Sequence, residues 1–255
     1  MSDLGGGYNG NASLKRLGVE ISYTEEQVAE IVKCSEDPIY FIKNYVKIVN
    51  VDKGLVPFDM WPFQENMVTE FHNNRFSICK MPRQVGKTTT TVGYMLWCIL
   101  FNIDYKIAIL ANKGSLAREI LGRIQYAYEY LPLWLQQGIK TWNKGNLELE
   151  NGSMIYAYAT SASGVRGGTY NLVFLDEFAF VQHNMAQDFF TSTYPVISSG
   201  KTTKVIIVST PNGLNMFYKM WIDAIEGRST YVPLEVHWSQ VPGRDAAWKE
   251  ETIRN

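Results

Sequence analysis

The residues Met81-Pro-Arg-Gln-Val-Gly-Lys-Thr-Thr89 follow the apolar stretch Phe76-Ser-Ile-Cys79 and run straight into a long helical segment. Strand, glycine-bearing turn and helix in that order strongly constrain the fold. The backbone N–H groups of the turn and of the first helical turn face one point, where they attract an anion. Gly86 lets the backbone approach a phosphate with no Cβ in the way. Lys87 is placed to reach the β- and γ-phosphates of a nucleoside triphosphate such as ATP, and the Thr88 hydroxyl to bind Mg²⁺. On this pattern Arg83, Gln84, Val85, Gly86, Lys87, Thr88 and Thr89 form a phosphate-binding loop, or P-loop. The usual G-x-x-x-x-G-K-[ST] spacing would put glycine at position 81, where this chain has Met81. A bare Gly-Lys-Thr also occurs in ordinary solvated turns, so other positions have to carry the reading.

The strongest of these is Asn171-Leu-Val-Phe-Leu-Asp-Glu177, an apolar run ending in two acids. That is the pattern of a buried parallel strand with its charges at the C-terminal tip. In P-loop motors one such acid helps hold Mg²⁺ and a second polarises the attacking water. Asp176 fits the metal role and Glu177 the water role. Lys204-Val-Ile-Ile-Val-Ser-Thr-Pro-Asn-Gly213 reads as another strand, broken by a Pro-Asn-Gly turn. Ligands of open α/β sheets sit beyond the strands' C-terminal ends, which would put Ser209 and Thr210 near the γ-phosphate. Hydroxyls that merely cap the strand end read equally well. Gln64 lies in Met60-Trp-Pro-Phe-Gln-Glu65, where Pro62 suits a first helical turn and Phe63, Met67, Val68 and Phe71 form an apolar face. A glutamine there can pair with both edges of adenine, or it can simply be solvated.

Thr24-Glu-Glu-Gln27 is a capping box that predicts a helix towards Cys34, and Asp37-Pro38 starts another from Ile39 to about Val46. Further on the pattern predicts strand 76–80, helix 86–100, strand 106–111 and a helix from Ser115 to Tyr130. A polar hairpin follows, Leu147–Glu150 and Met154–Tyr158 joined at Asn151-Gly152. Alternating strands and helices imply an α/β fold with a doubly wound, mostly parallel central sheet flanked by helices. The long interval between the P-loop and Asp176-Glu177 leaves room for inserted strands, as in P-loop NTPase motors of the ASCE/RecA-like kind. The expected organisation is a flexible tail (1–20), an N-terminal helical lid (21–60), the ATPase core (61–235) and a linker (236–255). The glycine-rich loop Ser161–Thr169 carries one arginine, Arg166, which is either solvated or offered to a neighbouring subunit.

The charge balance, 24 Lys and Arg against 25 Asp and Glu, gives net −1 and argues against tight static binding to nucleic acid. It leaves open a motor that grips DNA transiently. Three isolated cysteines, Cys34, Cys79 and Cys98, suggest a reducing cytosol, and three scattered histidines make no metal spacing. The longest apolar run, Val92–Phe101, is far short of the roughly 20 residues a membrane span needs, so it reads as the P-loop's own buried helix.

With these residues assembled, the chain resembles the ATPase domain of the large terminase subunit of tailed bacteriophages, most closely the myovirus type. The resemblance rests on Arg83-Gln-Val-Gly-Lys-Thr88, Ala111-Asn-Lys-Gly-Ser115, Trp142-Asn-Lys-Gly145, Leu149-Glu-Asn-Gly-Ser153, Val165-Arg-Gly167, Leu175-Asp-Glu-Phe178, Pro195–Gly200 and Ser209-Thr-Pro-Asn-Gly-Leu-Asn215. It covers about Tyr23 to the C-terminus. It implies a motor that hydrolyses ATP with Mg²⁺ to drive double-stranded DNA into a procapsid. Such motors act as a ring, typically a pentamer, on the portal protein, with a small terminase subunit as a further partner. The expected setting is the cytoplasm of an infected bacterium, transiently at the portal and not in the mature virion, with no membrane partner. An isolated chain is compatible with a monomer.

The resemblance also implies roles that residue type alone does not fix. Arg83 would sense the γ-phosphate, Gln64 would contact adenine, Ser209 and Thr210 would form the coupling motif, and Arg166 would act as an arginine finger in trans. The sequence departs from the family in carrying Asp59 where a second glutamine often stands, and Val208 where the coupling motif usually has a hydroxyl. Large terminases continue into an RNase H-like nuclease, and Trp238–Asp245 resembles the segment leading to it, so a motor domain alone is the expectation. Outside this family, a helicase- or remodelling-type ATPase acting on nucleic acid, or a non-hydrolysing nucleotide-binding scaffold, would carry the same loop.

Overall fold

Side-chain alternation along five apolar strands divides the interior into two layers, and the helices cover one layer or the other. In the computed structural model, which describes residues 7–50, 52–160, 168–195 and 200–254, the strands in chain order are β1 (Lys47–Asn50), β2 (Gly54–Pro57), β3 (Phe76–Lys80), β4 (Lys106–Ala111), β5 (Ile139–Trp142), β6 (Asn146–Leu149), β7 (Met154–Ala159), β8 (Leu172–Asp176), β9 (Lys204–Ser209) and β10 (Val232–Glu235). The helices are α1 (Glu25–Glu36), α2 (Pro38–Tyr45), α3 (Pro62–Asn73), α4 (Lys87–Phe101), α5 (Gly114–Glu129), α6 (His183–Asp188), α7 (Met216–Ile225) and α8 (Ala246–Arg254). The main sheet has eight strands in the order β10-β3-β9-β8-β4-β7-β6-β5. From β10 to β7 every neighbouring pair is parallel, and only β6 runs against its partners.

Successive residues of a strand point to opposite faces, and the core follows that rule. Cys79, Ile107, Ile109, Leu172, Phe174, Ile206 and Val208 join the layer that holds α1 to α5. Their neighbours Ile78, Ala108, Leu110, Val173, Leu175, Val205 and Ile207 join the layer under α6 and α7. The apolar run expected to be the P-loop's helix is indeed α4, buried at every position from Thr90 to Leu100. It is tied to its neighbours by Trp97 Nε1, which donates to the Cys34 carbonyl (2.7 Å), and by the Tyr94 hydroxyl, which donates to that of Phe71 (3.2 Å).

The N-terminal helices form where the sequence places them. Thr24 and Gln27 complete both arms of the capping box on α1, and Asp37 caps α2 with Pro38 in its first turn. They are layered on α4 and share its core through Phe41, Ile42 and Val46. The span expected to be wholly helical also holds the β1–β2 hairpin. Its turn is set by Asn50 Oδ1, which accepts from the backbone N–H groups of Asp52 and Lys53, and by Gly54 at φ +69°.

Three other expectations are corrected. Part of the segment expected to be a flexible tail is docked: Leu14 and Lys15 are buried, Gln136 Oε1 accepts from the Lys15 N–H (2.9 Å), and Arg16 bridges to Ile139. The hairpin expected to be polar buries Leu147, Leu149 and Ile155, because β7 continues the main sheet beside β4. Residues Ala246–Arg254, within the expected linker, are helix α8.

If α2 belongs to the core as this packing shows, Phe41→Ala removes a fully buried ring that meets Phe101 edge-on at 5.3 Å. The expected cost is about 3–5 kcal/mol, seen as a lower denaturant midpoint for one cooperative transition. Separate melting of an N-terminal unit would contradict it.

Candidate functional site

Strand register brings three chain segments level at one end of the sheet. Lys80 stands opposite Ser209 and Asp176 opposite Val208, so β3, β9 and β8 finish together. β9, the latest of these three in the chain, lies between the P-loop strand β3 and the acid strand β8, and its tip stands between theirs.

The side chains at these tips converge. Lys87, 6% exposed at the start of α4, pairs with Glu177 (Nζ to Oε1, 2.7 Å) and donates to Thr210 Oγ1 (3.1 Å). Thr88 Oγ1 donates to Asp176 Oδ1 at 3.2 Å. The second oxygen of Glu177 accepts from the backbone N–H of Thr210 (3.1 Å). Ser209, fully buried, accepts from the N–H of Ala179 (3.0 Å) and donates to the Thr210 carbonyl (2.9 Å). Both hydroxyls of the β9 tip therefore sit among the charged groups, and Thr210 holds Lys87 and Glu177 together.

Backbone geometry sets these positions. Gln84 (φ +58°), Gly86 (φ +73°) and Glu177 (φ +49°) are left-handed. For a residue with a Cβ this costs on the order of 1 kcal/mol, and at Glu177 it turns the carboxylate back over the sheet end. The left-handed backbone at Gly86 favours glycine, and a Cβ there would also lie 2.5 Å from Gln64 Nε2 and make that amide shift.

Asp176 is short of positive charge. Burial, and after it the adjacent Glu177 charge, raise its carboxyl, and Lys87, Thr88 and Arg123 pull it back only in part, so that it stands at about 6. A desolvated carboxyl beside a threonine hydroxyl is an oxygen donor set of the kind hard divalent cations take, so these two residues fit Mg²⁺.

Gln64 does something the sequence reading missed. Its oxygen accepts from the Trp61 N–H (2.9 Å) and its nitrogen donates to the Val85 carbonyl (3.0 Å), making a strut between the start of α3 and the P-loop. It also walls a cavity of about 410 Å³ with Ile48, Phe58, Asp59, Trp61 and Thr89. Arg83 and Gln84 are exposed and Val85 is buried. Arg166 lies outside the described residues.

Three participants had weak sequence signals or none. Asn215 caps α7 and donates to the Ala179 carbonyl (2.7 Å), joined there by Asn212 (3.3 Å), which ties the β9 loop to the turn after β8. Asn before a helical run is a readable cap. Arg123 and Arg244 act from α5 and the C-terminal segment, and nothing local marks either.

The family model for the T4-like-virus type of terminase large subunit, N-terminal part, matches residues 78–255. The fold is similar to the crystal structure of the HK97 bacteriophage large terminase, with TM-score 0.71 and 18% identity over 87% of this chain and 52% of that one. It is similar to the ATPase domain of the Thermus phage P74-26 large terminase (0.60, 18%, 74% and 87%). It is also similar to the large terminase of a thermophilic bacteriophage in complex with ADP (0.58, 14%, 76% and 50%). The chain thus spans about half the length of the HK97 protein and of this ADP-bound one.

A pH prediction follows from Asp176. Its folded value of about 6 lies above the ordinary 3.8, so the neutral acid is favoured on folding. Its contribution to stability is complete below 3.8 and is lost as pH rises through about 6. Asp176→Asn should therefore melt higher than the unsubstituted chain at pH 8, with the gap closing by pH 4. A gap of the same size at both pH values would contradict the assignment.

Proposed function

This chain belongs to the T4-like-virus type of terminase large subunits, and from that membership we propose that it binds ATP with Mg²⁺ at the strand tips and hydrolyses it to move double-stranded DNA. The observation that carries the reading is the meeting of Lys87 with Glu177 at 2.7 Å and of Thr88 with Asp176 at 3.2 Å on one sheet edge. The thermophilic phage's terminase, bound to ADP in one structure and to ATP-gamma-S in another, supports a nucleotide as the ligand.

The triphosphate lies against the free N–H groups of the loop and the N-terminus of α4, where backbone dipoles attract it. Thr88 and Asp176 hold Mg²⁺, which when bound neutralises phosphate charge. Lys87 is paired with Glu177 in this structure, and an incoming phosphate competes for the same ammonium. Once Lys87 turns to the phosphate, Glu177 keeps its hydrogen bond from the Thr210 N–H and its other oxygen is free to orient a water for in-line attack. Charge that develops on the transferring phosphoryl group is met by Lys87, by Arg83 from the loop, and by Arg166 from a neighbouring subunit; stabilisation is chiefly electrostatic. The base occupies the cavity beside Gln64 and Asp59.

Motion leaves the site through the β9 tip. Ser209 and Thr210 touch the turn that carries Glu177, and Asn215 connects that turn to α7, so a change at Glu177 is passed to a helix on the far face. Family membership supports the wider reading: a ring, pentameric in type, on the portal of a procapsid in the host cytoplasm, working with a small terminase subunit. No helix among the described residues is long and apolar enough to cross a membrane. DNA cleavage is not assigned to the described residues.

Glu177→Gln should lower steady-state phosphate release by at least about 100-fold while binding a fluorescent ATP analogue as tightly as the unsubstituted chain or more so. Lys87→Ala should lose both. The assays belong at high protein concentration, where neighbours can meet. Unchanged turnover in Glu177→Gln would remove Glu177 from the mechanism.

A further inference from the structure

Arg244 lies 161 residues from the P-loop, yet its Nη2 donates to the carbonyls of Arg83 (3.0 Å) and Gln84 (3.3 Å). A trans peptide is planar, with its C=O and N–H on opposite sides. The Arg83 carbonyl shares a plane with the Gln84 N–H, and the Gln84 carbonyl with the Val85 N–H. Holding both oxygens outward therefore aims both N–H groups inward. Those two N–H groups donate to no acceptor among the described residues. Gln84 is left-handed, the alternation that turns successive N–H groups into an anion-binding nest. A guanidinium on the carbonyl side also polarises each peptide, which strengthens the N–H opposite as a donor.

Arg244 is itself well seated. Its guanidinium lies 4.8 Å over the Trp248 ring, which stacks on Trp238 at 5.9 Å. Its backbone N–H donates to Val241 (3.1 Å), a buried residue of the main core, and Asp245 Oδ1 accepts from the Trp248 N–H near the start of α8 (2.9 Å). The loop contact thus comes from an anchored segment.

We propose that Arg244 is a positioning residue that holds the P-loop peptides in their phosphate-binding orientation and makes nucleotide affinity depend on how the segment Val241–Trp248 is seated. The proposal rests on the reading of the P-loop as a nucleotide site. By reciprocity, whatever displaces this segment weakens nucleotide binding, and bound nucleotide steadies the segment.

The test uses the whole chain with Arg244→Ala, Arg244→Lys and Trp248→Ala, measuring ATP KM and kcat, ADP affinity with a fluorescent analogue, and amide ¹H–¹⁵N spectra without nucleotide. Arg244→Ala should raise KM and the ADP Kd about ten-fold with a smaller change in kcat, because nest contacts serve bound substrate and transition state alike. Arg244→Lys should recover only part of this, since an ammonium cannot lie flat on the Trp248 ring as the guanidinium does. Trp248→Ala should shift both constants the same way, by less. The Gln84 and Val85 amide signals should move in Arg244→Ala even with no nucleotide present. Unchanged KM, Kd and amide signals in a folded Arg244→Ala would overturn the proposal. Should that variant fail to fold, values equal to the unsubstituted chain in both other variants would overturn it equally. An unsubstituted chain that binds no nucleotide would instead sink the proposed function, and the amide signals would still decide whether Arg244 orients the loop.

Discussion

The pair between the buried Lys87 and the part-exposed Glu177 is the interaction on which the site depends. Lys87 is almost wholly enclosed, and its ammonium has two described partners, the Glu177 carboxylate and the Thr210 hydroxyl. A charge in that position is tolerated only while it is paired and hydrogen-bonded. The fold supplies the pairing by bringing a helix start, the tip of one strand and the turn after another to the same edge. A substrate carrying several negative charges offers Lys87 a stronger partner than one carboxylate does. Under the proposed function, the contact that stabilises the resting site is therefore the one that substrate would displace.

Strand order makes this possible. With β9 placed between β3 and β8, the acids meet Lys87 and Thr88 directly over the tip of β9, beside the hydroxyls of Ser209 and Thr210. The tip of the intervening strand links the two sides, because Ser209 and Thr210 hydrogen-bond Glu177 on one side and Thr210 accepts from the loop lysine on the other. The left-handed backbone at Glu177 and Gln84 belongs to the same design: each aims a group at the shared point at a modest cost that the surrounding core over-determines.

The parts of this arrangement that depend on local chemistry were legible in the sequence. Phe76–Lys80 and Lys106–Ala111 read as strands from their apolar runs, Thr24 and Asp37 as caps, and Asp176-Glu177 as charges at a strand tip. Long-range contacts were not legible. β5 and β10 are four-residue strands stabilised by partners rather than by their own pattern, and β10 contains a proline that argues against a strand. The β1–β2 hairpin lacks a tight two-residue turn signature, and its strands are largely exposed. The docking of Leu14 and Lys15 was hidden by a glycine- and asparagine-rich composition, which says nothing about a buried neighbour such as Gln136. Gln64 was marked for its amide edges, but its use as a strut for Val85 depends on how closely α3 approaches the loop. Arg244 is invisible for the same reason, since its target lies at the opposite end of the core sequence.

A structure of this chain with Mg²⁺ and a non-hydrolysable ATP analogue tests the central claim most directly. The account predicts terminal phosphates seated against the N–H groups of residues 84–88, Lys87 turned from Glu177 to the phosphates, and Thr88 with Asp176 at the metal. Phosphates bound away from the strand tips, with the Lys87–Glu177 pair still closed, would contradict it.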